Sequence, residues 1–417
     1  MTPKKQARLL VIALNFSPEL TGIGKYVGEM TTWLGTAGVA VRVITAPPYY
    51  PAWCVQRPYS SHCYQRELLA GSVVYRCPLY VPRAPTGLKR LAHLASFALT
   101  SLPVMLWQGL WWRPHTVIVI EPPLACAPGA LLAGALSGAR TWLHVQDFEV
   151  DAAFELGLLR SGGLRRCALA IERWLLQRFD RVTSISERMV AKLRLKGVAT
   201  ERAGYFPNWV DTNLIRPLYA EGSMRAELGI DAQVPIVLYS GNMGDKQGLD
   251  LIVDVARRFS GRHAALFLLC GDGAARARLE AAARDLGNVR FIALQPLTRL
   301  NELLNLADVH LLPQRADAED LVMPSKLTAI MASGRPVLAT ARAGSDVAQA
   351  AGVGGVVVPP GDGAAFESAL HALLADPTLR SRLGSAARTY ALAHWDRDVV
   401  LRRMIADLLH KSDTSPD

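Results

Sequence analysis

The sequence predicts an α/β protein made of two doubly wound, parallel-sheet domains in tandem. Its 417 residues are more than a domain with a single hydrophobic core ordinarily contains, so two domains are expected. Half of them are hydrophobic and one-fifth are charged, a composition that indicates a well-buried globular protein and excludes a disordered chain. Short apolar runs alternate with helical patterns along the chain, which is typical of parallel sheets covered on both faces.

The strand-like runs fall into two series. In the first half, helix patterns such as Tyr26–Thr36 and Leu164–Arg178 separate RLLVIAL, AVRVITA, TVIVIEP, TWLHVQD and DRVTSIS. In the second half the runs are PIVLYSG, ALFLLCG, VRFIAL, DVHLLP, PVLAT and GVVVPP. We therefore expect an N-terminal domain over residues 1–205, a C-terminal domain over 206–385, and a last helix over 386–417 that can cross back to the first domain. Ligands of such sheets bind at the carboxyl ends of the strands, so we expect the site in the cleft between the domains.

Basic residues are concentrated in the first half. Residues 1–205 carry 24 Lys and Arg against 12 Asp and Glu, a net charge of +12, whereas the rest of the chain carries −2. An anionic partner should therefore meet the first half, either a membrane surface or a lipid diphosphate. No RNA-binding motif or helix-turn-helix accompanies the charge, so we expect no nucleic-acid partner.

The apolar segment Phe97–Trp112 suits a helix at a bilayer surface, because Trp and basic residues flank it. A core helix of the domain is the alternative. Pro103, Gln108 and Gly109 interrupt the segment, and no run of 18 apolar residues occurs, so no transmembrane helix is expected. The first apolar run, Leu9–Leu14, fits a buried strand better than a signal peptide.

The six cysteines are far apart and form no C-x-x-C pair. We expect reduced, mostly buried thiols in a cytoplasmic protein, without a disulfide frame and without a metal site.

The loop SPELTGIGKYVGEM contains Gly22 and Gly24. A dinucleotide fingerprint would place its glycines directly after the strand, and an acidic residue would end the next strand. Neither condition is met. The glycines can instead let a phosphate or a sugar approach the backbone at a helix start. A tightly turning loop without a ligand is the alternative.

Two glycine-rich loops follow strands in the second half. In LYSGNMGDKQGLD the glycines expose backbone N–H groups, and Lys246 supplies a positive charge where a diphosphate would lie. Lys246 as a solvated loop residue is the alternative. The loop after LFLLC would line the same rim. The candidate binding residues of the two loops are Gly241, Asn242, Lys246, Gln247, Gly271 and Asp272.

Polar residues also end the strand TWLHV in the first half. His144 and Gln146 alternate onto one face, and Asp147 stands at the strand terminus. His144 and Asp147 are candidates for contacting a reacting hydroxyl. A histidine at this position can equally be a core residue, so Asp147 is the stronger candidate.

The stretch DAEDLVMPSKLTAIMASGRP combines the acidic pair Glu319 and Asp320 with a helix start at residues 324–326. The exposed N–H groups of such a start can hold a diphosphate. The chain as a whole contains, in this order, the motifs NFSPELTGIGKYVGEM, ITAPPYYP, HVQDFEVDAAFELGLL, FPNWVD, YSGNMGDKQGLD, CGDG and PSKLTAIMASGRPV. These motifs resemble those of the family 4 retaining glycosyltransferases. That family has the GT-B fold of two Rossmann-like domains. Within that family the chain resembles the colanic-acid-type exopolysaccharide transferases.

The resemblance implies a metal-independent, retaining transfer of a sugar from a nucleotide diphosphate sugar to a lipid-linked oligosaccharide. It places this reaction at the cytoplasmic face of the membrane, in exopolysaccharide, capsule or O-antigen biosynthesis. It implies no cofactor besides the donor, for which GDP-fucose or a UDP-sugar is expected.

When residues are matched by position, the resemblance implies that Lys246 binds the donor phosphates. It implies that the backbone N–H groups of Ser325, Lys326 and Leu327 donate hydrogen bonds to the same diphosphate. Glu319 and Asp320 correspond loosely to the first acid of a paired-glutamate motif. The second acid, a ribose contact, falls at Ala329 and is missing. Asp147 and His144 would orient the acceptor.

Two other functions stay open. A nucleotide-sugar epimerase of the same fold would need acid–base residues on both sides of the sugar and no acceptor. A catalytically silent scaffold of the same fold is the other, because the second acid is absent. The DRD of the last helix resembles a metal-binding motif, but Asp396 at a helix start is expected to be an N-cap.

Overall fold

The computed structural model describes residues 6–84, 86–155, 162–218, 223–244, 247–259, 265–315 and 325–409. The chain divides into two compact units, Met1–Pro207 with Arg403–Asp417, and Asn208–Arg402. Each unit contains its own twisted sheet flanked by helices, and every strand pairing is parallel except one hairpin at an edge. The predicted fold class of two doubly wound, parallel-sheet domains is confirmed.

The first unit contains an eight-stranded sheet in the order β3-β4-β2-β1-β5-β6-β7-β8. Its strands are β1 Arg8–Ile12, β2 Ala40–Thr45, β3 Gln65–Leu69, β4 Ser72–Arg76, β5 Thr116–Glu121, β6 Arg140–Val145, β7 Arg181–Ser184 and β8 Ala203–Tyr205. Its helices are α1 Gly22–Thr36, α2 Gly87–Trp107, α3 Ala127–Ser137, α4 Glu149–Glu155, α5 Gly162–Leu176 and α6 Glu187–Leu195. A π turn, Gln108–Trp112, extends α2, and a 3-10 turn, Leu124–Cys126, precedes α3.

Helices α2, α3 and α5 lie on the same face of this sheet. Phe97 and Met105 of α2, Ala130 of α3 and Leu175 of α5 share one apolar core with Leu143 of β6. Since the buried sides of the three helices share this core, their exposed sides face away from it.

Helix α2 continues through Pro103, although this proline was expected to interrupt the segment. Pro103 lies on the exposed side of the helix. Among the helices in the described ranges, only Gly87–Trp112 is long and apolar enough to cross a membrane by those two measures. Its inner side is nevertheless part of the domain core, since Phe97 and Met105 are fully buried.

The second unit contains a six-stranded parallel sheet in the order β11-β10-β9-β12-β13-β14. Its strands are β9 Ile236–Ser240, β10 Leu266–Cys270, β11 Val289–Ile292, β12 Val309–Leu312, β13 Val337–Thr340 and β14 Gly355–Val358. Its helices are α7 Ser223–Glu227, α8 Asp250–Arg258, α9 Arg276–Ala282, α10 Leu297–Leu306, α11 Ser325–Ala332, α12 Asp346–Val353, α13 Gly363–Ala375 and α14 Pro377–His394, and α15 Arg397–Leu409 follows.

The predicted last helix, 386–417, is divided between α14 and α15. Asp396 separates them: the Val399 N–H donates to Asp396 Oδ1 at 3.0 Å, so the N-cap interpretation is confirmed. The end of α15 is grouped with the first unit. There, Arg140 donates to the Asp407 carbonyl at 2.5 Å, and Arg181 pairs with the Asp407 carboxylate at 2.8 Å.

The expectation of mostly buried cysteines is wrong for half of them. Cys77, Cys126 and Cys270 are buried, whereas Cys54, Cys63 and Cys167 are exposed. All six are free thiols.

Candidate functional site

Two glycine loops meet at the carboxyl edge of the second sheet, after β9 and β10. Gly241, Gly271 and Gly273 have φ angles of +139°, +148° and +152°, which strongly favour glycine. A Cβ on Gly271 would lie 1.9 Å from the Gly241 carbonyl oxygen, and one on Gly273 would lie 2.5 Å from the Met243 carbonyl oxygen. Backbone therefore contacts backbone here, at a distance that no side chain permits.

Hydrogen bonds fix the two loops to each other. The Gly241 N–H donates to the Cys270 carbonyl at 2.9 Å, and the Met243 N–H donates to the Asp272 carbonyl at 2.8 Å. Within the first loop, the Gly244 N–H donates to Gln247 Oε1 at 3.1 Å. The structure thus brings together the sequence-predicted Gly241, Asn242, Gln247, Gly271 and Asp272. Lys246 lies outside the described residues.

Helix α11 begins beside these loops. Ser325 at its start is exposed, whereas Leu327 is fully buried in the core of the second unit. Glu319 and Asp320 lie outside the described residues, so their predicted sugar contacts stay predictions. Ala329, where the second acid is missing, is half-buried against the same apolar cluster as Leu327.

The side chain of Lys326 reaches from α11 to the loop after β9, which the sequence analysis did not anticipate. Its ammonium donates to the Tyr239 hydroxyl at 2.6 Å and lies 4.5 Å from the centre of the Tyr239 ring. The Tyr239 hydroxyl donates in turn to the Asn242 carbonyl at 2.5 Å. Burial lowers the pKa of the Lys326 ammonium to about 8.

In the first unit, the loop containing the predicted Gly22 and Gly24 surrounds a buried carboxylate. Glu19 is 3% exposed and accepts the Tyr49 and Tyr50 backbone N–H groups, each at 2.9 Å. The Asn15 side chain donates to the same carboxylate at 2.9 Å. Gly24 lies so close that a Cβ there would be 2.8 Å from Glu19 Oε2.

A buried arginine, Arg76, also contacts the loop that contains Glu19 and the loop that contains Tyr49. Arg76 is 1% exposed and donates to the Ser17 carbonyl at 2.6 Å and to the Ala46 carbonyl at 3.0 Å. Its Nε donates to Glu67 at 2.7 Å. Glu19 and Arg76 therefore hold together the loops SPELTGIG and TAPPYYP, and sequence reasoning missed both residues. The sequence signal that could have found them is a charged side chain among mostly uncharged neighbours: Glu19 lies in a Pro- and Gly-rich loop, and Arg76 lies at the end of the strand SVVYR.

His144 and Gln146 lie on one face, as predicted, and are hydrogen-bonded to each other. The distance from Gln146 Nε2 to His144 Nε2 is 3.0 Å, and that from His144 Nδ1 to the Thr183 hydroxyl is also 3.0 Å. Burial lowers the pKa of His144 to about 3, so the imidazole is neutral at pH 7. Asp147 is exposed at the end of the strand. His144 is therefore enclosed by protein, whereas Asp147 is open to solvent, and their predicted contacts with an acceptor stay predictions.

Metal-ligating residue types do not converge in the described ranges, which contain no group of three or more His, Cys, Asp or Glu side chains placed to hold an ion.

Comparisons with known families account for both units. A domain described as "Glycosyl transferase 4-like domain" matches residues 21–209, and one described as "Glycosyl transferases group 1" matches residues 221–390. The chain is 42% identical over 412 residues to the colanic acid biosynthesis glycosyl transferase WcaI of Escherichia coli K12. That alignment covers 96% of this chain and 99% of the relative.

Solved structures show the same fold. Sucrose-phosphate synthase from Thermosynechococcus elongatus superposes with a TM-score of 0.73 at 20% identity, covering 98% of this chain and 100% of that one. Anabaena Alr3699/HepE in complex with UDP-glucose superposes with a TM-score of 0.66 at 15% identity, covering 96% of this chain and 99% of that one. With both domain families matched in order and the full-length similarity to WcaI, the chain belongs to the family 4 glycosyltransferases, which have the GT-B fold.

Proposed function

We propose that this glycosyltransferase moves a sugar from a nucleotide diphosphate sugar to a lipid-linked oligosaccharide, with retention of anomeric configuration, in exopolysaccharide biosynthesis. The observation that carries the proposal is the pair of interlocked glycine loops beside α11 and Lys326, at the carboxyl edge of the second sheet. The name of the E. coli relative favours an exopolysaccharide product, and the UDP-glucose complex of HepE favours this class of donor.

The proposed chemistry depends on charge stabilisation more than on acid–base catalysis. As the glycosidic bond to the diphosphate breaks, negative charge grows on the departing phosphate oxygen. Lysine side chains and backbone N–H groups at the start of α11 stabilise that charge without a metal ion. The departing oxygen takes the proton of the acceptor hydroxyl on the same face of the sugar, so the protein's main task is to orient two substrates.

A donor panel tests the proposal. Calorimetry with GDP-fucose, UDP-glucose and UDP-N-acetylglucosamine should show binding of at least one donor, with GDP-fucose as the first candidate. Transfer should then require a lipid-linked acceptor. Conversion of the donor sugar without any acceptor would support an epimerase instead, and binding of no nucleotide sugar would support a silent scaffold.

Lys246→Ala should lower turnover on the order of 100-fold, since one charge-stabilising contact to a leaving group contributes about that much. The measurement is a steady-state transfer assay on the folded variant. Near-normal turnover would show that Lys246 does not bind the donor phosphates.

An apolar surface on the first unit supports the proposed membrane location. From Leu91 to Trp112 the sequence contains no Lys, Arg, Asp or Glu. Large apolar side chains are exposed on the outer sides of three helices: Leu88, Leu91, Leu99, Trp107, Leu110 and Trp111 on α2 and its π turn, Leu132 and Leu136 on α3, and Leu164, Ile171 and Trp174 on α5. We call this set the outer apolar face.

Basic side chains border the outer apolar face. Arg178 lies 4.8 Å from the Trp174 ring centre, and Arg165 and Arg173 are exposed on α5. At the start of α2, Arg90 interacts electrostatically with Tyr49, in the loop after β2, and with Glu149, the first residue of α4 after β6. Exposed apolar residues with flanking arginines suit contact with an anionic bilayer, next to the loops proposed to receive a lipid-linked acceptor.

Removing apolar groups from this face should weaken membrane binding. Leu99→Glu combined with Trp111→Glu should reduce co-sedimentation with phosphatidylglycerol vesicles at least about tenfold, because each side chain contributes roughly 1.5–3 kcal/mol when buried in lipid. Binding of the unaltered chain should weaken as salt rises. Leu294→Glu, at a similarly exposed position in the second unit, serves as the control. Equal binding of all three proteins would exclude the outer apolar face as the membrane contact.

A further inference from the structure

Lys326 occupies an unusual position for a lysine side chain. Its stem passes over Gly241, so closely that a Cβ on Gly241 would lie 2.2 Å from Lys326 Cε and 2.7 Å from Nζ. The ammonium ends at the Tyr239 hydroxyl, with the Asn242 carbonyl 3.5 Å away. Gly241 thus has two functions: its φ angle permits the turn, and its missing side chain leaves room for the lysine.

The ammonium is partly desolvated, and its contacts in the described part of the chain are neutral. They are a phenol, a carbonyl oxygen and an aromatic face. No ion pair between Lys326 and a described carboxylate occurs. The electrostatic attraction between such a cation and an incoming anion is stronger than for a solvated lysine, because less water screens the interaction.

The surroundings of the ammonium are suited to a phosphate group. It lies at the first turn of α11, where backbone N–H groups favour anions. It also lies against the loop that follows β9, whose backbone packs directly on the loop after β10 at Gly241 and Gly271. Two independent features, a helix start and a partly desolvated cation, therefore converge on one position.

We propose that the Lys326 side chain is a diphosphate-binding group of the donor site, with the Tyr239 hydroxyl as its partner while the site is empty. The inference rests on the proposed function and adds to it a cation that differs from Lys246. The long, flexible lysine stem lets the ammonium exchange the phenol for a phosphate oxygen without movement of the backbone.

This arrangement has a consequence for pH. The pKa of Lys326 is about 8 in the empty site, and a bound diphosphate raises it by stabilising the charged form. The titratable group that contacts the ammonium is the Tyr239 phenol, whose own pKa burial raises. Asp272 on the adjoining loop after β10 and Arg276 at the start of α9 are the charged residues that follow that strand. Above pH 8 the free enzyme loses the proton that the complex keeps, so diphosphate affinity should fall as pH rises, and binding should take up a proton.

Calorimetry of GDP and UDP with the full chain between pH 6.5 and 9 tests the proposal. Lys326→Met should weaken binding of the nucleoside diphosphate at pH 7 by about tenfold or more, typical of losing one charge-assisted contact. Lys326→Arg should retain most of the affinity and lose the decline above pH 8, because guanidinium stays protonated. Arg257→Met, which removes an exposed cation from the same unit, should change nothing.

Tyr239→Phe separates binding from support of the loop. If Lys326 binds the diphosphate, loss of the phenol leaves affinity unchanged or increases it. If Lys326 only supports the loop through Tyr239, then Tyr239→Phe and Lys326→Met weaken binding alike, and the proposal is wrong. It is also wrong if Lys326→Met binds within twofold of the unaltered chain. Failure of the unaltered chain to bind either nucleotide would instead refute the proposed function itself.

Discussion

Gly271→Ala is expected to weaken the binding of nucleoside diphosphates at least tenfold. The new Cβ would lie 1.9 Å from the Gly241 carbonyl oxygen, and the obstructing atom belongs to backbone, which cannot rotate away as a side chain can. The φ angle of +148° adds strain of about 1–3 kcal/mol for any residue with a Cβ. The loops after β9 and β10 must separate to relieve the overlap, and the hydrogen bond between Gly241 and Cys270 is lost with them.

The measurement combines thermal unfolding with calorimetry of GDP and UDP. We expect the second unit to be destabilised by a few kcal/mol and to lose affinity at least tenfold. Gly287→Ala is the matched control, because Gly287 is exposed and a Cβ there would contact nothing within 4 Å. A Gly271→Ala chain that binds nucleotide as tightly as the control would show that the interlocked loops are not the donor site.

The sheets were predictable because buried parallel strands are continuous apolar runs, and each of the eleven predicted runs overlaps an observed strand. The hairpin of β3 and β4 was not predicted. Its strands QRELL and SVVYR are short and mix charged with apolar residues, since β3 is an exposed edge. The turn between them, with Ala70 and Gly71 at φ angles of +48° and +80°, carries a weak sequence signal because alanine rarely adopts that conformation.

The site was predictable where it depends on local sequence and not where it depends on packing. Glycines after a strand and a helix start after proline are visible in the chain, and the structure places Gly241, Gly271 and Ser325 at one edge of the sheet. The path of the Lys326 side chain to Tyr239 joins residues 87 positions apart, which no local pattern records. Likewise, His144 matched a catalytic pattern, but its partner Thr183 is known only once β6 and β7 are paired.

Glu19→Ala is expected to remove transfer to the lipid-linked acceptor while leaving donor binding intact. The Glu19 carboxylate accepts three donors: the buried N–H group of Tyr49, and the partly buried N–H group of Tyr50 and side chain of Asn15. A buried donor left without an acceptor costs about 1–3 kcal/mol and a partly buried one costs less, so the first unit should lose roughly 2–5 kcal/mol of unfolding free energy. The loops SPELTGIG and TAPPYYP would no longer be held together, and in the proposed function these loops receive the acceptor.

The expected pattern is a lowered unfolding temperature of the first unit, unchanged calorimetric affinity for GDP or UDP, and loss of acceptor-dependent turnover. Glu19→Gln keeps one acceptor oxygen, so it should have an intermediate effect on both stability and turnover. Glu29→Ala, on the outer side of α1 where Lys25 pairs with Glu29 at 3.8 Å, should change stability by less than about 1 kcal/mol. If Glu19→Ala kept full turnover, the Gly22–Gly24 loop would not position the acceptor; if it lost nucleotide affinity as well, the two units would not divide acceptor and donor between them.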